Sequence, residues 1–228
     1  MPSRKESLLA ALPHILPQVD RLYLYLDKYD EIPREIRAME NIIPILPSAE
    51  FKSKGCTGKL YGLKIHKAPC LYFCFDDDII YQNGYVDHLS AALSRYHYES
   101  IVGLHGCIFK NPARSYVKDR QIIGFSAGLH FDVLVDELGS GTIAFHSEAV
   151  RLEFDYWSNR NMTDLYVMIE AIRQKVNRIC IRRSPDFIKA IRELQEDSIW
   201  RNSMLDDALQ SRLLQSIMNE YPDNWGKS

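Results

Sequence analysis

One third of the way along this chain of 228 residues, five apolar residues run straight into three acids: Leu71-Tyr72-Phe73-Cys74-Phe75, then Asp76-Asp77-Asp78, then Ile79-Ile80-Tyr81. An uninterrupted apolar run of this length reads as a buried strand, with the acids at its carboxyl end. Side chains alternate along an extended chain, so Asp76 and Asp78 are expected on one side and Asp77 on the other. Adjacent like charges in a half-buried place are costly unless a cation compensates them. Two carboxylates on one side suit a hard divalent ion that also holds a phosphate-bearing ligand. The competing reading is a solvated turn that caps the next helix.

The rest of the chain limits the partners. Net charge is −2, without the basic excess of a general nucleic-acid binder. Cys56, Cys70, Cys74, Cys107 and Cys180 are odd in number and form no C-x-x-C pair, so neither a zinc site nor a disulfide framework is indicated. They read as small apolar residues in a reducing cytosol. No apolar run reaches the length of a membrane span, and residues 1–6 lack the apolar core of a signal peptide.

Periodicity supplies the elements. A helix follows Ser3, kinked at Pro13 and stopped at Pro17. Strands are expected at 21–26, 41–46, 71–75, 101–104, 131–134, 142–145 and 179–181. Val86, Leu89, Leu93 and Tyr96 mark one amphipathic helix; Leu165, Met168, Ile169, Ile172 and Val176 mark another, with Asn161 at its N-cap. Further helices are expected after Ser184-Pro185 and from Ser203. The alternation predicts an α/β fold with a mainly parallel sheet, in one domain. In such sheets ligands bind beyond the carboxyl ends of the strands.

Taken with Gln18-Val19-Asp20-Arg21-Leu22-Tyr23-Leu24-Tyr25-Leu26, Gly58-Lys59-Leu60-Tyr61, Gly139-Ser140-Gly141-Thr142 and Asn161-Met162-Thr163-Asp164-Leu165, the acidic run resembles the GT-A glycosyltransferases. The likeness is to the bacterial family 2-type enzymes of surface polysaccharide synthesis, over about residues 3–183. It implies a GT-A, Rossmann-like sheet, with a nucleotide-binding part at about 1–105, an acceptor-side part at about 106–183 and C-terminal helices at about 184–228. It also implies a first strand ending in a turn like Pro2-Ser3-Arg4, with which this sequence begins; either upstream sequence has been lost or the sheet manages with one strand fewer.

The resemblance further implies a nucleotide-sugar donor, a UDP-sugar first, with Mn²⁺ or Mg²⁺ held by Asp76 and Asp78. Arg4, Asp30, Lys59, Asp76 and Asp77 would contact the donor, and His146 would be a third metal ligand or an acceptor contact. Asp164 would be the catalytic base of an inverting transfer to a saccharide or lipid-linked acceptor, with Glu153 and Asp155 as rivals. An acid in a helix first turn is equally what the helix dipole favours. His105 ends a strand as His146 does, and Arg182 and Arg183 are further phosphate candidates or surface ion pairs. The expected setting is cytoplasmic, at the inner face of the cell membrane, with peripheral membrane association or a homo-oligomer left open. Two alternatives stay open: an incomplete GT-A domain that only binds, and a sugar-nucleotide nucleotidyltransferase, whose glycine-rich basic phosphate loop is not visible.

Overall fold

The computed structural model describes residues 1–47, 54–191 and 206–225. The N-terminal helix α1 (Lys5–Ile15) carries Pro13 near its end and passes into a short 3₁₀ turn at Leu16–Gln18. Strand β1 (Leu22–Tyr25), the one-turn helix α2 (Arg34–Arg37) and strand β2 (Ile42–Ile45) follow. After a 3₁₀ segment at Gly55–Leu60 come α3 (Gly62–Ile65), β3 (Leu71–Phe73), β4 (Ile79–Tyr81) and α4 (Tyr85–Arg95). Strands β5 (Ser100–Gly103), β6 (Gly106–Phe109), β7 (Arg120–Ile123), β8 (Val133–Leu134), β9 (Glu137–Leu138) and β10 (Ala144–His146) precede α5 (Thr163–Arg173). The order ends with β11 (Asn177–Cys180), β12 (Ile188–Ala190) and α6 (Ala208–Glu220).

The fold is α/β, but the main sheet is mixed. Its order is β3-β10-β5-β11-β8. Only β5 and β11 run parallel in it; β10 lies antiparallel to both β3 and β5, and β8 to β11. A mainly parallel sheet is therefore a correction. Alternating strands and helices give element order, not direction, and the chain reverses on its excursion between β5 and β10. That excursion builds a separate antiparallel sheet, β7-β6-β9. β1 and β2 form a parallel pair of their own.

Period-two alternation explains how both faces of the main sheet are buried. Ile101, Phe145 and Cys180 pack on one face with Val167 and Ala171 of α5. Their neighbours Val102, Ala144 and Ile179 pack on the other with Leu89, Ala92 and Leu93 of α4. The opposite side of α5, through Leu165, Met168 and Ile172, meets Leu214, Ile217 and Met218 of α6.

Two local expectations fail. Ser184-Pro185 opens no helix; residues after it turn and become β12, which pairs antiparallel with β4. The tail from 184 is thus not purely helical. Asn161 is not the N-cap of α5: it takes a positive φ of 59°, and Met162 occupies the cap position. The expected opening of the last helix at Ser203 lies outside the described residues, and α6 has Asp207 at its N-cap position. No helix among the described residues is long and apolar enough to cross a membrane.

Candidate functional site

Strand β3 ends at Phe73, so the acids do not continue its alternation; Asp77 and Asp78 form the turn into β4. The turn changes the expected grouping. Asp77 and Asp78 share one partner, Arg4, with Asp77 Oδ1 at 3.0 Å from its guanidinium. Asp76 points elsewhere and pairs with the Lys59 ammonium. Tyr81, fully buried on β4, fixes the bend. Its hydroxyl accepts from the Asp76 amide at 2.7 Å and donates to the Gly141 carbonyl at 2.6 Å.

That second bond brings in the 139–142 segment. It is not a hairpin turn, because β9 before it and β10 after it belong to different sheets. Gly141 leaves room for Asp76: a Cβ there would sit 1.9 Å from Asp76 Oδ2. Ser140 Oγ lies 3.3 Å from Lys59 Nζ, and the Ser140 amide donates to Asp164 Oδ1 at 2.9 Å. Thr142 Oγ1 accepts from the amides of Leu104 and His105 at 3.3 and 3.1 Å, clamping the segment onto the end of β5. Asp76, Lys59 and Asp164 are thereby held around four residues.

Charge at this site is under tension. Burial pushes Asp78 up to about 6, the nearby charge of Asp76 adds to it, and Arg4 pulls the other way. Burial also raises Asp77, again against Arg4. For Lys59, burial works against the ammonium, yet Asp76, the Cys56 thiol and Asp164 outweigh it and hold the group above its ordinary range. Beside Asp164 lies a second buried group. Glu137 is raised to about 8 by burial and by the charge of Asp164, against the pull of Arg120 at 3.2 Å. The Tyr116 hydroxyl sits 2.8 Å from both Glu137 oxygens.

A cleft of about 1050 Å³ opens from the acids. Arg4, Lys59, Asp76 and Asp77 line its polar end, together with Asp27, Tyr29, Arg160 and Asn161. Arg4 Nε is buried there without a hydrogen-bond partner. An orphaned cationic donor beside a cleft calls for an acceptor such as a phosphate oxygen.

Among the described residues no group of three or more His, Cys, Asp or Glu side chains is arranged to hold a metal ion. Asp76 and Asp78 are nonetheless hard oxygen donors. A cation that keeps its waters and takes phosphate oxygens needs only one or two protein carboxylates. Asp76 and Asp78 face different cations, Lys59 and Arg4, so an ion shared by the two acids must displace both; the buried Arg4 Nε is the group that suits a phosphate oxygen.

Several expected members are not brought here. His146 pairs in register with Leu71, at the opposite end of β3 from the acids, so it is no third ligand; its Nδ1 accepts from the Glu148 amide at 3.3 Å. Asp30 is exposed and lies outside the cleft. Asp27, almost fully buried at the end of β1 and 3.8 Å from Arg160, lines it instead. Glu153 pairs with Arg151 at 3.0 Å and Asp155 with Lys64, leaving Asp164 as the acid held against the 139–142 segment. Arg183 donates to the carbonyls of Gly124, Phe125 and Ile181, a structural role; neither it nor the exposed Arg182 lines the cleft. His105 does sit against the segment: a Cβ on Gly139 would lie 2.6 Å from its ring. Burial lowers its pKa, and its Nδ1 is buried without a partner.

Tyr81 and Asp27 escaped the sequence reading of the site. A tyrosine five residues beyond the first acid was the only available signal for the first, and the end of an expected strand for the second. No family model matches the chain, and a search of curated proteins returns no significant match.

Proposed function

We propose that the protein is a GT-A-type glycosyltransferase that moves a sugar from a nucleoside-diphosphate donor, a UDP-sugar first, to a hydroxyl of a saccharide or lipid-linked acceptor. The supporting observation is the joining of the acidic run to Asp164 through one short segment: Asp76 against Gly141, Asp164 on the Ser140 amide. A diphosphate anchor that lines the cleft and a proton acceptor, which does not line it, are thereby held on one short segment.

Asp76 and Asp78 would hold Mn²⁺ or Mg²⁺, which when bound supplies positive charge to the departing diphosphate. Arg4 and Lys59 bring two cations of this chain to the same phosphates, and Asp77 keeps Arg4 in place. Charge placed ahead of the reaction stabilises a leaving group without reorganisation. Asp164 accepts the proton of the attacking hydroxyl; the Ser140 amide orients its carboxylate and leaves the second oxygen for the acceptor. Single displacement with inversion follows from a lone carboxylate in that role. The reaction belongs to polysaccharide synthesis at the cytoplasmic face of a membrane.

One observation favours a second reading, a binding module without turnover: each acid of the run already has a basic partner. A thermal-shift screen of nucleoside diphosphates with and without Mn²⁺ tests the first reading. Stabilisation by at least one nucleotide that requires the metal, and is lost in Asp78→Ala, supports it. No stabilisation by any pair sinks it.

A further inference from the structure

Asp164 stands in the first turn of α5, and its Oδ1 accepts from the Ser140 amide just beyond β9. That bond spans the interface in which α5 packs on β9. Strand β9 is two residues long and pairs with β6 only through Glu137 and Leu138, a short hold for the segment that follows. The far end of the segment is pinned to the end of β5 by Thr142. The near end is pinned by a side chain. Glu137, buried, has the Tyr116 hydroxyl 2.8 Å from each of its oxygens and Arg120 Nη1 at 3.2 Å. The Arg120 guanidinium also lies over the Tyr116 ring, 4.5 Å from its centre. Bonds in such a buried network are directional and costly to break, so they fix a position that apolar contacts alone would let slide.

Tyr116 is itself placed by the last helix. Ser211 Oγ of α6 accepts from the Tyr116 amide at 2.9 Å. Asp207, at the N-cap position of α6, accepts from the Ser115 hydroxyl at 2.6 Å and from the Val117 amide at 2.9 Å. Farther along, Leu214, Ile217 and Met218 share one apolar cluster with Leu165, the residue after Asp164. The helix thus grips both walls of the interface: α5 directly, and β9 through Tyr116 and Glu137. We infer that Tyr116 and Glu137 are positioning residues for Asp164, and that α6 sets through them the gap across which the Ser140 amide meets the Asp164 carboxylate. Neither residue, nor any described residue of α6, lines the cleft, so all of them act without touching the donor. Loosening the grip turns Asp164 from the acceptor hydroxyl and leaves the anchor at Asp76 in place. The inference rests on the glycosyltransferase reading only for what Asp164 does once it is held.

Two variants of the full chain test it: Tyr116→Phe, which removes the hydroxyl, and Asp207→Ala, which frees the 115–117 loop from α6. Hydrogen exchange reads the geometry without any substrate. The Ser140 amide should exchange about tenfold faster or more in both variants. The Cys74 and Ile181 amides, bonded to Ile143 and Gly103 in the main sheet, should stay within about twofold of the parent. In nucleotide release from the donor, kcat should fall about 10- to 100-fold while KM for the donor holds within about twofold. Ser140 exchange equal to the parent's in both variants overturns the inference. So does acceleration at Cys74 and Ile181 in step with Ser140, the mark of a cluster that only stabilises the fold. Faster Ser140 exchange with kcat unchanged overturns it as well. A parent that turns over no donor removes the glycosyltransferase reading alone, and the exchange result still decides whether Tyr116 and α6 hold Asp164 in place.

Discussion

Gly141 is the residue on which the site turns. Any side chain there meets the Asp76 carboxylate, at 1.9 Å for the first carbon, so Gly141→Ala must push Asp76 away from Lys59. The expected result is loss of metal-dependent nucleotide binding by at least tenfold in a calorimetric titration, with far-ultraviolet dichroism unchanged. Unchanged affinity would show that Asp76 does not hold the ligand. Glu137 offers a second residue-level test. Its folded pKa of about 8 lies above the ordinary carboxylate value, so between those limits the native state binds the extra proton. Stability is then fully present below pH ~4.5 and declines as pH rises through 8, by up to about 1.4 kcal/mol per unit. Denaturant titrations across that range should show the decline in the parent and flatten in Glu137→Gln.

Elements were legible where burial imposes a period, and illegible where long-range pairing decides. The stripes Val86-Leu89-Leu93 and Leu165-Met168-Ile172 became α4 and α5 because each lies on a sheet face or another helix. The strands at 22–25, 42–45 and 100–103 lie within a residue of their sequence positions. Residues 188–190 carry no strand signal of their own; they are extended because β4 offers an antiparallel partner. The same holds for the site. Asp76 stands out by local pattern and Asp164 is named through the resemblance, whereas Tyr81 to Gly141 and Asp27 to Arg160 join parts of the chain far apart in sequence. His146 failed because a strand end has two sides of the molecule to choose from, and antiparallel entry of β10 sent it to the wrong one. At this scale Phe145→Ala is informative. Its ring is fully buried between β10 and the α5 face, and its loss should cost about 3–5 kcal/mol in denaturant titration. A cost below about 1 kcal/mol would mean that the α5 face of the sheet is not the packed layer described.

At the scale of the molecule, the mixed sheet serves to bring two chain segments together at Asp76, which lines the cleft. The β3–β4 turn supplies the acids, and the link between the β9 sheet and the β10 sheet supplies the Ser140 amide that holds Asp164. The account therefore stands on Asp76 and Asp164 acting in one reaction. Release of UDP from UDP-sugars in Mn²⁺, with water or an added sugar as acceptor, measures this most directly when the parent is compared with Asp164→Asn. The prediction is metal-dependent release in the parent and a fall of about 10²–10⁴-fold in the variant, with UDP affinity within threefold of the parent. Release at the parental rate by Asp164→Asn would contradict it.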